Sequence, residues 1–280
     1  MAATDRTTGR IIAKLKHKVA ALTALTVVLA IALGVMTYLY VTKDGEEKGA
    51  VGSSSAIASS NEEDVASVSS KPTAEEKAAM ALALDLDNWN LRLVNGKKPL
   101  PSGFTVTTEK IEATYARDVG MLYDARAVSY LNAMCAAAER DGINLLVISS
   151  FRTNERQTVL FNNQVTKQRA IHPELSEEEI KKLAGTISAY PGTSEHEVGL
   201  AVDFNSVEES FENTPEFQWL KTNAQSYGFI LRYAKEKQDI TGVIYEPWHY
   251  RYVGEKHAKK INELGYCLEE YVDYLNKYTK

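Results

Sequence analysis

Apolar positions first gather between Val19 and Thr42, where the chain reads VAALTALTVVLAIALGVMTYLYVT without a charged residue. As a helix of about 1.5 Å per residue this run measures roughly 36 Å, more than a bilayer core of about 30 Å. Tyr38 and Tyr40 fall near its end, where amphipathic rings favour an interface. Arg6, Arg10, Lys14, Lys16 and Lys18 precede the run, and Asp44, Glu46 and Glu47 follow it. The positive-inside tendency then predicts a cytoplasmic basic tail (1–18), a transmembrane signal anchor (19–42) and an exported remainder. A cleaved signal peptide is the alternative, with Ala30-Ile31-Ala32 as a cleavage site, although its apolar part is usually only about 7–15 residues. No cysteine directly follows the run, which argues against a lipoprotein.

Residues 43–72 are Ser-rich with no apolar period and predict a flexible linker. The pattern from 73 to 280 predicts one folded extracytoplasmic domain of mixed helices and short strands. Leu91-Arg92-Leu93-Val94 before Asn95-Gly96 predicts a strand ending in a tight turn. Val128, Leu131, Cys135 and Ala138 recur at helical spacing, with Asp124 as a cap and Gly142 as a stop. Leu145–Ile148 predicts a buried strand. A helix from Asn154 to about Arg169 should place Val159, Leu160 and Asn163 on one face. Ser176 to Glu179 forms a capping-box pattern. Thr214-Pro215 opens a helix that Gly228 closes, and final helices span about Glu255–Leu264 and Leu268–Lys277. With no repeated βαβ unit, the fold class is α+β, a small antiparallel sheet flanked by helices.

Composition narrows the function. The net charge of -5 provides no basic field for nucleic acid, so no nucleic-acid partner is expected. Two cysteines exclude a disulfide-dense scaffold or a Cys₄ zinc module. Cys135 lies on an apolar stripe as a core thiol, and Cys267 lies near a surface helix. A bond between them is allowed in an exported domain.

Three segments mix polar groups into apolar surroundings. From Leu200 to Asn205 the pattern alternates, so that Asp203 falls mid-strand, where a carboxylate needs a partner or a cation. Gly199 permits a bend that lets His196 meet Asp203. In the second segment Pro247 interrupts regular strand, and Trp248 to Val253 resumes it around His249. Two imidazoles and one carboxylate suit a catalytic zinc with an open position, and Glu246 is then free to act as a base. A hydrogen-bonded core histidine and an ion-paired aspartate fit the spacing as well. In the third segment Arg152 follows a buried strand. It either reaches a cleft to bind a carboxylate or oxyanion, or pairs with Glu155 at the surface. His17 falls in the cytoplasmic tail, His172 in a polar loop, and His257 on a solvated helix.

Ser194-x-His196-x-x-Gly199-x-Ala201-x-Asp203 resembles the S-x-H-x-x-G-x-A-x-D motif of the VanY-type D-alanyl-D-alanine carboxypeptidases, the M15B metallopeptidases. Glu246-Pro247-Trp248-His249 resembles their E-x-W-H. Ser149 to Arg152 with Gln157, Leu160 and Phe161 is similar to a third family segment, and Gly228-Phe229, Arg232-Tyr233 and Thr241-Gly242 also fit. The resemblance covers about residues 85–265. It implies a Zn²⁺ cofactor held by His196, Asp203 and His249, Glu246 as catalytic base, and Arg152 as the group that binds the substrate carboxylate or the oxyanion. It implies that Gln157 and Ser194 line the terminal D-Ala pocket, and that peptidoglycan stem peptides are the substrates. Pro247 stands where the related lysostaphin-like endopeptidases carry the first histidine of an H-x-H pair. An L,D-carboxypeptidase acting on tetrapeptide stems and a non-catalytic wall-binding module are the competing readings. The implied location is a single-pass membrane protein with its catalytic domain outside.

Overall fold

The computed structural model describes residues 72–279. The expected basic tail, membrane span and nearly all of the linker lie outside the described residues. Among the described residues no helix is long and apolar enough to cross a membrane.

In chain order the regular elements are α1 (Ala74–Ala83), β1 (Thr108–Lys110), β2 (Leu122–Asp124), α2 (Val128–Arg140), β3 (Val147–Ser149), α3 (Asn154–Ile171), α4 (Glu177–Gly185), α5 (Glu195–Val198), β4 (Ala201–Phe204), α6 (Pro215–Asn223), β5 (Phe229–Leu231), α7 (Gln238–Thr241), β6 (His249–Tyr252), α8 (Glu255–Leu264) and α9 (Leu268–Asn276). Strands β1 and β2 form an antiparallel pair, and the other four form a sheet in the order β3-β4-β6-β5, antiparallel throughout. This is the small antiparallel sheet with flanking helices that the pattern predicts.

The pleat sorts this sheet into two chemistries. Val202 and Phe204 of β4 and Tyr250 and Tyr252 of β6 join the main core with Leu131 and Met134 of α2. Each such buried side chain contributes roughly 1.5–3 kcal/mol relative to exposure. The alternate positions carry the polar groups, with Ala201 the apolar exception on β4. Ser149 is the cross-strand neighbour of Asp203, and Asp203 is the neighbour of His249, so three polar residues lie in one row across three strands. Arg251 lies two residues further along β6 on the same face as His249.

Several expectations change in detail. Leu91–Val94 is not a strand: Trp89–Leu91 is a single 3₁₀ turn. Among the described residues no strand pairs with it. The carbonyls of Asn90 and Arg92 instead accept hydrogen bonds from the Arg251 guanidinium. The tight turn does form, with Asn95 and Lys98 exchanging both backbone hydrogen bonds. Asp124 does not cap α2. It ends β2, buried, with its carboxylate bonded to the Arg126 backbone and guanidinium. On α3 the inward face carries Gln157, Phe161, Val165 and Gln168, whereas Val159 and Asn163 are exposed. Phe161 and Val165 meet Ile180 and Ala184 of α4, which sets the rotation of the helix. Helix α6 ends at Asn223, and a 3₁₀ turn (Ala224–Tyr227) carries the chain to Gly228. His257 is 1% exposed rather than solvated, because α9 closes over α8 and brings the Tyr271 hydroxyl to within 2.9 Å of its Nδ1. Cys267 is buried instead of lying near the surface, and it and Cys135 are both free thiols.

Candidate active site

Helix α5 is a single turn. Gly199 ends it with φ +79°, a left-handed conformation that glycine adopts without steric cost, and the chain enters β4 directly. That reversal brings His196 back onto the strand it precedes. Its Nε2 lies 3.3 Å from Asp203 Oδ2. The other ring nitrogen, Nδ1, lies 2.8 Å from the Ser150 carbonyl oxygen, to which it donates. The carbonyl therefore fixes the tautomer and leaves the Nε2 lone pair free.

His249 reaches the same point from the neighbouring strand. Its Nδ1 lies 3.2 Å from Asp203 Oδ1 and 3.3 Å from Glu246 Oε2. The segment across Pro247 makes this possible: the His249 amide donates to the Glu246 carbonyl at 3.2 Å, folding Glu246 and His249 to one side. Tyr233 packs against the His249 ring, with centroids 4.7 Å apart.

His196, Asp203 and His249 are all buried, and one ligand atom from each falls within 4.8 Å of the others. Asp203 Oδ1 is buried without a hydrogen-bond partner. A carboxylate with one starved oxygen, set between two imidazole nitrogens, fits a divalent cation, and the nitrogen and oxygen donor set fits zinc. Burial opposes ionisation of Asp203, but His196 and His249 hold its carboxyl well below the usual range. Burial, reinforced by Arg152, pushes His196 down to about 4, so the ring is neutral and able to ligate at neutral pH. Burial raises the Glu246 carboxyl, against the opposing influence of His249.

Arg152 completes the centre. Its backbone amide donates to the His196 carbonyl at 3.1 Å. Its guanidinium donates to Ser149 Oγ at 2.7 Å, to Gln157 Oε1 at 3.2 Å and to Asp203 Oδ2 at 3.2 Å. The surface pairing with Glu155 does not form. A cleft of about 420 Å³ opens over the centre, and Arg152, Ser194, His196, Asp203, Glu246 and His249 contribute to its walls. Gln157 is absent from those walls. It is fully buried behind Arg152, and its amide nitrogen donates to the Ala189 carbonyl at 2.7 Å. Every expected site residue is therefore brought together, with Gln157 one layer further back.

The sequence alone assigns no role to three buried charges beside the centre, Glu195, Arg232 and Arg251, although Arg232 falls in a segment that fits the family. Arg232 Nε lies 2.8 Å from Glu195 Oε1 and Arg251 Nη1 also lies 2.8 Å from it. Arginines inside the strand-like runs FILRY and HYRYV are the available signal, since a buried guanidinium requires a partner.

The sequence profile of the VanY family, described as D-alanyl-D-alanine carboxypeptidase, matches residues 121–255. A D-alanyl-D-alanine carboxypeptidase of Enterococcus faecalis (strain ATCC 700802 / V583) is 39% identical over 189 residues, 68% of each chain. The chain belongs to the VanY family. Among solved structures, the vancomycin-resistance D,D-pentapeptidase VanY in complex with Zn(II) is 40% identical, with a TM-score of 0.58, covering 66% of this chain and 99% of its own. The LdcB LD-carboxypeptidase is 35% identical, with a TM-score of 0.57, covering 65% of this chain and 85% of its own. This VanY-family chain thus shares its fold with enzymes of both specificities.

Proposed function

We infer that this protein is a zinc-dependent D,D-carboxypeptidase that removes the C-terminal D-alanine from peptidoglycan stem peptides. The observation that carries the reading is the meeting of His196 Nε2, His249 Nδ1 and both Asp203 oxygens, with Glu246 beside them, in a VanY-family chain. His196, Asp203 and His249 would hold the zinc. Bound there, zinc supplies Lewis-acid polarisation of a peptide carbonyl and lowers the pKa of water.

The chain's own residues do the rest. Glu246 does not serve as a ligand in this assignment. It takes a proton from the attacking water and returns it to the leaving amine of D-Ala. Arg152, held by Ser149 and Gln157, presents a planar fork to the substrate's terminal carboxylate or to the developing oxyanion. Ser194 contributes a polar wall to the terminal D-Ala pocket. Gln157 orients Arg152 from behind.

The proposed setting is the outer face of a membrane, with residues 19–42 as the anchor and 43–72 as the tether. The uncharged run and the basic residues before it support this. The deciding assay incubates the purified chain with pentapeptide and tetrapeptide stems, with and without a chelator, and follows free D-Ala. Chelator-sensitive release from the pentapeptide is expected. Release from the tetrapeptide alone would establish an L,D-carboxypeptidase, a reading favoured by the LdcB likeness. No release from either stem would favour a wall-binding module.

A further inference from the structure

The mechanism leaves one buried carboxylate beside the metal centre without a task. Glu195 stands on α5 next to His196 and is 1% exposed. Its Oε1 lies 2.8 Å from Arg232 Nε and 2.8 Å from Arg251 Nη1. Its Oε2 is buried with no hydrogen-bond partner, and it faces His249 Nε2 at 3.8 Å. That nitrogen is itself buried and unpartnered. Two orphaned polar atoms of complementary kind therefore look at each other across a short gap.

The opposite edge of the same ring explains the arrangement. His249 Nδ1 is the nitrogen turned toward Asp203 and Glu246. A neutral imidazole that gives Nδ1 to a cation carries its proton on Nε2. Buried in this position, that N–H needs an acceptor. We propose that Glu195 is a positioning residue: its Oε2 accepts the Nε2 proton of His249 and so fixes the tautomer and ring angle that present Nδ1 to zinc. The separation of 3.8 Å exceeds a charge-assisted hydrogen bond by about 1 Å, so the two groups must draw together in the zinc-loaded protein for this bond to form.

The two arginines determine which oxygen is available. Both guanidiniums converge on Oε1, which leaves Oε2 directed at the imidazole. Arg232 is anchored in turn by Glu269 on α9, with Nη1 to Oε2 at 2.8 Å and Nη2 to Oε1 at 2.6 Å. Two carboxylates thus balance two guanidiniums. Neutralising the arginines would not by itself require a second oxygen aimed at a metal ligand.

This inference rests on the zinc reading but not on the identity of the substrate, and its test reads metal and ring rather than turnover alone. Zinc affinity of the full-length chain is measured by competition with a chromogenic chelator, for the parent, Glu195→Gln and Glu195→Asp. In parallel, ¹⁵N-histidine NMR of the zinc-loaded protein follows the His249 Nε2 proton. The parent should show that proton in slow exchange with solvent. Glu195→Gln should weaken zinc binding by about 10- to 100-fold and release the proton to fast exchange. Glu195→Asp keeps the charge between the arginines but withdraws the oxygen from the ring. It should therefore retain the parent's thermal stability more nearly than its zinc affinity. If the parent binds zinc and both variants match it within twofold, with the Nε2 proton unchanged, the proposal is overturned. If Glu195→Gln fails to fold, the parent resonance and the aspartate variant decide. A parent that binds no zinc overturns the metal reading itself.

Discussion

Glu246 and Arg152 both line the cleft over the metal centre but should fail in different ways when changed. Glu246→Gln keeps the size of the side chain and leaves the three ligands intact. Turnover should fall by at least about 10²-fold while zinc content and thermal stability stay near the parent's, as read by D-Ala release, metal analysis and thermal unfolding. Arg152→Lys keeps a positive charge but loses the fork that spans Ser149, Gln157 and Asp203. Both KM and kcat for the pentapeptide should worsen, for a combined loss of about 10²-fold or more in kcat/KM. The residues proposed as ligands, base and carboxylate binder are legible in the sequence because the motif spacing singles them out. Glu195 is not, because it occupies a variable position of the S-x-H motif. Its partners come from other segments, Arg232 after β5 and Arg251 on β6.

Short elements here depend on how they are joined. Gly228 links the 3₁₀ turn to β5 with φ +86°. An added Cβ would lie 2.8 Å from Tyr252 Cε2 and 3.0 Å from the Glu255 nitrogen. Gly228→Ala should therefore destabilise the domain by about 2–4 kcal/mol, combining left-handed strain with overpacking, and thermal unfolding measures it. The packing of α8 on α9 carries a pH dependence. Burial and the Lys256 ammonium push His257 down to about 4, against the opposing pull of Asp85, and Tyr271 packs on its other edge. The unfolded chain has an ordinary histidine near 6.5, so it binds the proton first as pH falls. Stability contributed by neutral His257 is present above about pH 6.5 and is lost progressively down to about pH 4. Urea unfolding at pH 7 and pH 5 should show that loss, and His257→Gln should reduce the difference. Helix starts such as Ser176 and Thr214 were legible because each cap bonds within three residues of itself. The 91–94 segment reads as a strand from sequence because its actual partner, Arg251, is remote along the chain.

At the scale of the whole chain, the proposed anchor sets where the chemistry takes place. Protease added to intact cells stripped of their wall should cut the Ser-rich stretch and release an active fragment. A chain resistant until the membrane is broken would place the domain inside. The pattern alone showed the α+β class and the sheet, since alternation around Asp203 and His249 is local. It did not show that α9 reaches the buried charges beside the site, because that contact runs from α9 through Arg232 to Glu195. The Arg232–Glu269 pair also completes a charge balance. Without residue 269 the interior would hold two guanidiniums against the single carboxylate of Glu195, an imbalance on the order of several kcal/mol in a buried setting. Helix α9 is therefore a counter-charge for the interior as much as a cover for it, although it carries none of the residues proposed for the chemistry.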